Sequence, residues 1–225
     1  RRLPATVVTE LACLDGPATA AVSDQLVAVY RAAMAAPPFF ESEVETGWFA
    51  EELAGELTEA GYRCWVARED GGPVVGFAYG FPTGEVPPEG WYGLLREAVG
   101  PDGADNWLAG QFAVVWIAVH PDRRGRGLGR ELLERLLDGA GTERAWLVTH
   151  GLDAPARALY RSLGFRELGR APLGWHDAER VVLPATLAAP ALVDRVRGHT
   201  LAAFRRRVPA RITLADPDGT VAEVD

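Results

Sequence analysis

The sequence contains no lysine: all 23 basic residues are arginine, set against 31 acidic residues for a formal net charge of −8. This excludes Schiff-base catalysis and self-acetylation on lysine. An acidic chain is also a poor partner for nucleic acid, whose affinity comes largely from neutralised phosphates. Cysteine is nearly as scarce. Cys13 and Cys64 make no metal or redox spacing, so both are expected to be core thiols in a reduced, cytoplasmic setting, with no metal bound. No apolar run approaches the roughly 20 residues of a membrane span, and neither a heptad array nor an internal repeat appears. What is present is ordinary for a soluble globular protein: 48% hydrophobic and 24% charged residues in a chain of 225, long enough to bury a sizeable core. The chain opens on Arg1-Arg2-Leu3-Pro4 without a methionine, so a few residues are expected to precede it.

The most informative stretch lies between Val114 and Asp138. Val114 to Val119 is short, apolar and rich in β-formers, and so reads as a core strand ended by His120-Pro121. Leu128, Leu132, Leu133, Leu136 and Leu137 then recur at helical spacing, so a helix begins at the glycines between them. Gly125, Gly127 and Gly129 leave backbone N–H groups unshielded at a helix start, where donors lack intrahelical partners and the dipole is positive. Such a turn predicts a phosphate cradle, with Arg123, Arg124, Arg126 and Arg130 adding charge. Two common nucleotide loops do not fit. A G-x-G-x-x-G fingerprint counted from Gly125 would need glycine where Arg130 stands, and the Gly-Lys-Ser/Thr of a P-loop is missing. An RNA-binding Arg-Gly patch is opposed by the acidic charge and by the absence of an accompanying aromatic strand.

A second short strand, Ala145 to Thr149, leads through His150-Gly151-Leu152 into another predicted helix. Asp153 suits the N-cap and Pro155 the first turn. Ala156, Leu159, Tyr160 and Leu163 form the apolar stripe, and Gly164 ends it.

Together the two segments resemble the GNAT superfamily of acyl-CoA-dependent N-acetyltransferases. Arg124, Gly127 and Gly129 match its pyrophosphate motif, Arg/Gln-x-x-Gly-x-Gly/Ala, and the run 153–165 is similar to its second motif, Asn-x-x-Ala-x-x-Leu/Phe-Tyr-x-x-x-Gly-Phe, with Asp153 in place of the asparagine. The resemblance implies acetyl-CoA as acyl donor. Backbone groups of Ile117, Ala118 and Val119 would meet the pantetheine arm and thioester. The loop Gly125, Arg126, Gly127, Leu128, Gly129, Arg130 would hold the pyrophosphate, with Arg124 before it, and Asp153 would lie by the cofactor or act only as a cap. Tyr160 would protonate or stabilise the departing thiolate, a role its phenol suits chemically, since a thiol titrates near 8.5 and a phenol near 10. Bases carried by some subgroups are missing: Val148 stands where one has glutamate, and Gln111 and Ala113 stand where another does. His150, two residues past Val148, is the substitute by strand alternation and by its ordinary pKa near 6.5, with a plain loop histidine as the alternative. His120 reads as turn chemistry.

Reading forward predicts a strand near Thr6 to Leu11, a helix capped by Ser23 and carrying Leu26, Tyr30 and Met34, and a helix with Phe49, Leu53 and Leu57 ending near Gly61. Strands Tyr62 to Arg68 and Val74 to Phe81 follow around an Asp70-Gly71-Gly72 turn. The fold class expected from the resemblance is α/β (α+β): a GNAT fold, with a mixed, mostly antiparallel central sheet flanked by helices on both faces. It would occupy residues 1–185, with an insertion at 82–110 that contains a short helix near Tyr92 to Val99. Glu41, Glu43 and Glu45 are the remaining candidate bases, an acidic rim that attracts a cationic amine being the simpler reading, and with Trp91, Tyr92 and Trp107 they are candidate acceptor contacts whose aromatic faces would favour such an amine. Anchoring of the insertion is the alternative for its aromatics. Residues 186–225 are expected to form a C-terminal helix (Ala191 to Arg207) and a hairpin turning at Asp216 to Gly219, packed on the core or on a second copy in a homodimer.

The expected activity is transfer of acetyl from acetyl-CoA to a primary amine of a small cationic molecule, by direct attack in a ternary complex, without nucleic acid or membrane. The alternatives are a peptide or protein N-terminal acetyltransferase and a non-catalytic acyl-CoA-binding module.

Overall fold

The computed structural model describes residues 9–37, 39–150, 155–171, 180–187, 214–215 and 221–222. The chain divides into two compact units: Arg1–Phe81 with Val115–Leu136, and Pro82–Val114 with Leu137–Asp225.

The first unit opens with β1 (Thr9–Leu14), α1 (Gly16–Ala20), α2 (Ser23–Met34) and α3 (Glu43–Glu56). β2 (Arg63–Glu69) and β3 (Val74–Pro82) follow. β1–β2 and β2–β3 pair antiparallel, and Cys64 and Val66 stand opposite Tyr79 and Phe77. Those four side chains form one face of the sheet and are buried with Leu26, Val29 and Tyr30 of α2 and Phe49 and Leu53 of α3. The rings of Tyr30 and Phe49 stack at 4.1 Å, and Phe49 lies 5.9 Å from Phe77. Truncating one such ring to alanine costs about 3–5 kcal/mol, so this cluster fixes where α2 and α3 sit. On the opposite face Gly76 makes room for α6 (Leu128–Asp138): a Cβ on Gly76 would come within 3.1 Å of Leu132 Cδ1. Helices therefore cover both faces within this unit.

The second unit holds α4 (Gly90–Val99), α5 (Pro101–Trp107), the start of β4 (Phe112–Val119), β5 (Arg144–His150), α7 (Pro155–Ser162), β6 (Gly169–Ala171) and β7 (Arg180–Thr186). β4 pairs with β5 in parallel over Phe112–Val114, while β5–β7 and β6–β7 are antiparallel. Trp146 donates its indole N–H to Thr83 Oγ1 at 3.0 Å. The strand order is β1-β2-β3-β4-β5-β7-β6, a seven-stranded mixed sheet as the sequence led us to expect. β8 (Leu214–Ala215) and β9 (Val221–Ala222) pair antiparallel, and the turn anticipated at Asp216 to Gly219 lies outside the described residues. The anticipated tail helix, with Arg205, Arg206 and Arg207, lies outside the described residues.

Several boundaries differ from expectation. Among the described residues the first strand starts at Thr9, and it runs on to Leu14. Ser23 is not a cap: it is the first helical residue and its hydroxyl donates back to Ala20 O, because α1 already occupies the preceding residues. α3 ends at Glu56, five residues before Gly61, and α5 was not foreseen, since its short sequence carries two aspartates and a glycine.

Candidate active site

β4 carries the first part of the site. Within the first unit it is the last strand of the order β1-β2-β3-β4, so one edge of Val115–Val119, which includes Ile117, Ala118 and Val119, has no strand partner there among the described residues. The strand ends where His120 N–H donates to Val75 O at 2.9 Å, and His120 Nδ1 accepts the Asp122 N–H at 3.3 Å. His120 thus serves the turn. A 3-10 turn over Pro121–Arg123 closes with Arg124 N–H on Pro121 O, and the next backbone bond in sequence is Glu131 N–H to Gly127 O. Between them the amides of Gly125, Arg126, Gly127, Leu128 and Gly129 donate to no backbone carbonyl among the described residues. Gly125 and Gly127 take φ of +73° and +84°, the left-handed region glycine tolerates, and nothing lies within 4 Å of either Cβ position. A row of unspent donors at the N-terminus of an 11-residue helix fits an anionic diphosphate.

The arginines around the loop are largely engaged elsewhere. Arg124 donates from Nε to Val119 O at 3.2 Å and from Nη2 to Ala33 O at 2.8 Å, fastening the loop to the ends of β4 and α2. Arg123 pairs with Glu69, and Arg130 lies 3.6 Å from Glu134. Arg126 is exposed and lines a small recess of about 80 Å³ with Thr9, Glu69 and Leu128.

The acidic residues flanking the turn from α2 to α3 also have partners in the first unit. Glu41 accepts the Tyr30 hydroxyl, and burial together with that carboxylate pushes the phenol far above its ordinary value. Glu43 pairs with Arg31 at 2.8 Å, and Glu45 completes the cap of α3 with Ser42. Two further carboxylates, not singled out in the sequence, reach the sheet from one face of α3. Glu52 Oε2 accepts the Trp116 indole N–H at 3.1 Å, and Glu56 Oε2 accepts the Tyr79 hydroxyl at 2.7 Å. Lost hydration raises both: Glu56 to about 7, and Glu52 above the ordinary carboxylate range although much of its side chain meets solvent. Their i, i+4 spacing was the available signal, but a solvated helix face reads the same way.

In the second unit Tyr160 is buried on α7, its ring 6.1 Å from Phe165, and burial pushes its phenol up to about 12. Gly164, at φ +90°, ends the helix. His150 is half-buried at the last position of β5, opposite Arg180, and Val148 faces Val182. Asp153 lies outside the described residues. Trp91 on α4 is 43% exposed, whereas Trp107 is anchored beneath the Arg144 guanidinium at 4.9 Å. The open recess of about 610 Å³ in this unit is lined by Glu85, Val86, Pro87, Pro88, Arg96 and Asp105, without Trp91. No Cys, His, Asp and Glu grouping suited to a metal occurs among the described residues.

Known proteins resemble this chain in sequence and in fold. The sequence model of the acetyltransferase (GNAT) family matches residues 26–165. A GCN5-like protein acetyltransferase of Mycobacterium tuberculosis is 32% identical over 158 residues, which is 64% of this chain and 74% of that protein. A ribosomal protein bS18-alanine N-acetyltransferase of Salmonella typhimurium is 52% identical over 54 residues, 23% of this chain and 36% of the relative. The chain likewise spans only 33% of the length of a matching Mycobacterium leprae protein. A crystal structure of a GNAT-family protein from Desulfovibrio desulfuricans superposes with a TM-score of 0.56 at 20% identity, covering 80% of this chain and 99% of that one, a likeness of fold.

Proposed function

The chain belongs to the GNAT acetyltransferase family, and from that premise we propose that it is an acetyl-CoA-dependent N-acetyltransferase. The observation that carries the reading is the row of open amides from Gly125 to Gly129 at the start of α6. These amides would hold the pyrophosphate of acetyl-CoA, while the unpaired edge of β4 at Ile117, Ala118 and Val119 would orient the pantetheine arm and thioester by backbone hydrogen bonds.

Tyr160 is assigned to the departing sulfur by its motif. Burial raises the phenol to about 12, so it holds its proton more tightly than a free phenol. Its role in this reading is therefore to donate a hydrogen bond to the nascent thiolate, lowering its energy while the proton arrives from elsewhere.

For the acceptor we propose a primary amine on a small cationic molecule, attacked directly in a ternary complex in the cytoplasm. The support is Glu52 in the first unit, an exposed carboxylate fixed on the Trp116 indole, since a carboxylate attracts ammonium. A second reading, an N-terminal peptide amine, is favoured by the relatives that modify proteins and opposed by Val148, where one such subgroup carries glutamate.

The test is acetyl-CoA-dependent thiol release by the purified chain with polyamines, arylalkylamines, aminoglycosides and short peptides. Release with the small amines supports the first reading, and release with peptides alone replaces it by the second. Calorimetric binding of acetyl-CoA without release from any acceptor would leave an acyl-CoA-binding module.

A further inference from the structure

We propose that Glu52 is the proton acceptor for the incoming amine, held in position by Trp116. The inference rests on the acetyl-transfer reading above and supplies the base that its sequence lacks at Gln111, Ala113 and Val148. Three observations within the first unit carry it. Trp116 immediately precedes Ile117 on β4, the strand segment assigned to the thioester, so whatever Trp116 holds is tied to the reacting end of the donor. Trp116 is itself fixed: its ring meets Tyr30 edge-on at 5.0 Å and Phe49 at 5.5 Å, two rings that stack on each other. Its indole N–H takes only Oε2 of Glu52, and Oε1 has no partner among the described residues.

The neighbouring carboxylates are committed differently. Glu41 takes the Tyr30 hydroxyl, Glu45 caps α3, and Glu56 is bound to the fully buried Tyr79. Glu52 alone of these four residues is solvent-exposed while bonded to β4. Its surroundings also suit the work. Lost hydration raises the carboxyl from its ordinary value against the Trp116 hydrogen bond, which lowers it, and the titratable groups that feel its charge are Tyr30, Glu56 and Tyr79, none of them a cation.

An ammonium proton moves to Glu52 Oε1, directly or through water, and the freed lone pair forms the C–N bond at the thioester carbonyl. The C–S bond breaks with its electron pair on sulfur. The second nitrogen proton, shed by the tetrahedral adduct, goes to the thiolate, and Glu52 returns its proton to solvent.

The experiment compares wild type with Glu52→Gln, Glu52→Asp and Trp116→Phe in the full chain, using acetyl-CoA with spermidine, 2-phenylethylamine and an alanine-initiated hexapeptide. Glutamine keeps an oxygen for the Trp116 indole, so it removes the base and not the tether. The expected result is a kcat about 100-fold lower in Glu52→Gln at pH 7.5, with acetyl-CoA affinity and thermal midpoint unchanged and aspartate partly restoring the rate. Wild-type kcat/KM should fall as pH drops through the raised Glu52 pKa, and the glutamine variant should lose that limb. The gap should narrow above pH 9.5, where more amine is already neutral. Trp116→Phe should lower kcat about tenfold. A kcat within twofold of wild type in Glu52→Gln, or an unaltered acid limb, overturns the proposal and leaves Glu52 as a tether. No thiol release by wild type with any of the three, despite bound acetyl-CoA, overturns the transfer reading itself and this proposal with it.

Discussion

Two glycine turns in the first unit look alike in sequence and differ in what their amides do. Asp70-Gly71-Gly72 joins β2 to β3 with φ of +50° and +69° at its first two residues, and Gly72 N–H closes on Glu69 O at 2.8 Å. Gly125 to Gly129 also relies on left-handed glycines, yet its amides reach no backbone carbonyl among the described residues. The first turn closes the Gly72 amide on the chain and reverses it. The second withholds its amides, and a row of withheld donors at a helix start is what an anion can use. Glycine content alone does not separate a hairpin from a binding loop; the fate of the N–H groups does.

That contrast can be broken most severely at Gly127. Glutamate there places a negative charge and a strained φ in the cradle, and acetyl-CoA affinity measured by calorimetry should fall at least about 100-fold while the thermal midpoint moves only a few degrees. Next in size is Tyr160→Phe, which separates holding the donor from reacting with it: turnover should fall roughly tenfold with acetyl-CoA affinity intact, and an unchanged rate would remove the phenol from the mechanism. Arg124→Ala removes the struts to Val119 O and Ala33 O but no amide of the row, so affinity should weaken only about fivefold, accompanied by faster hydrogen exchange across residues 123–130. The smallest effect belongs to the hairpin. Gly71→Ala should cost about 1 kcal/mol in denaturant unfolding for its left-handed φ and leave acetyl-CoA affinity unchanged; a loss of affinity there would mean that the two turns are not independent.

The loop and its helix were legible because three demands coincide in one short segment: an apolar strand, glycines at a turn, and leucines at helical spacing from Leu128 to Leu136. The strands followed from short apolar runs rich in β-formers and from the turn at Asp70. What stayed hidden depends on tertiary pairing. Glu52 and Glu56 read as solvated helix residues until α3 is laid against β3 and β4, and only then do Tyr79 and Trp116 become their partners. Glu41, Glu43 and Glu45 showed the reverse. They read as an open acidic rim, yet Tyr30, Arg31 and Ser42 engage all three, since a carboxylate beside a helix start is drawn into caps and ion pairs. Arg124 belongs to the pyrophosphate motif by sequence, and its guanidinium donates to the backbone carbonyls of Val119 and Ala33, contacts that depend on the fold.

The posture of Arg124 bears on how the protein should respond to its medium. With no lysine in the chain, Arg123 held by Glu69, Arg124 on carbonyls and Arg130 beside Glu134, the charge on a bound diphosphate would be met by peptide dipoles at contact distance, with the exposed Arg126 adding a screened contribution. Mobile ions screen exposed charges over about 10 Å at 0.1 M but do little between groups already touching. Affinity for the donor should therefore change little between dilute buffer and concentrated salt, and the loop would grip its ligand through shape and orientation more than through ionic attraction.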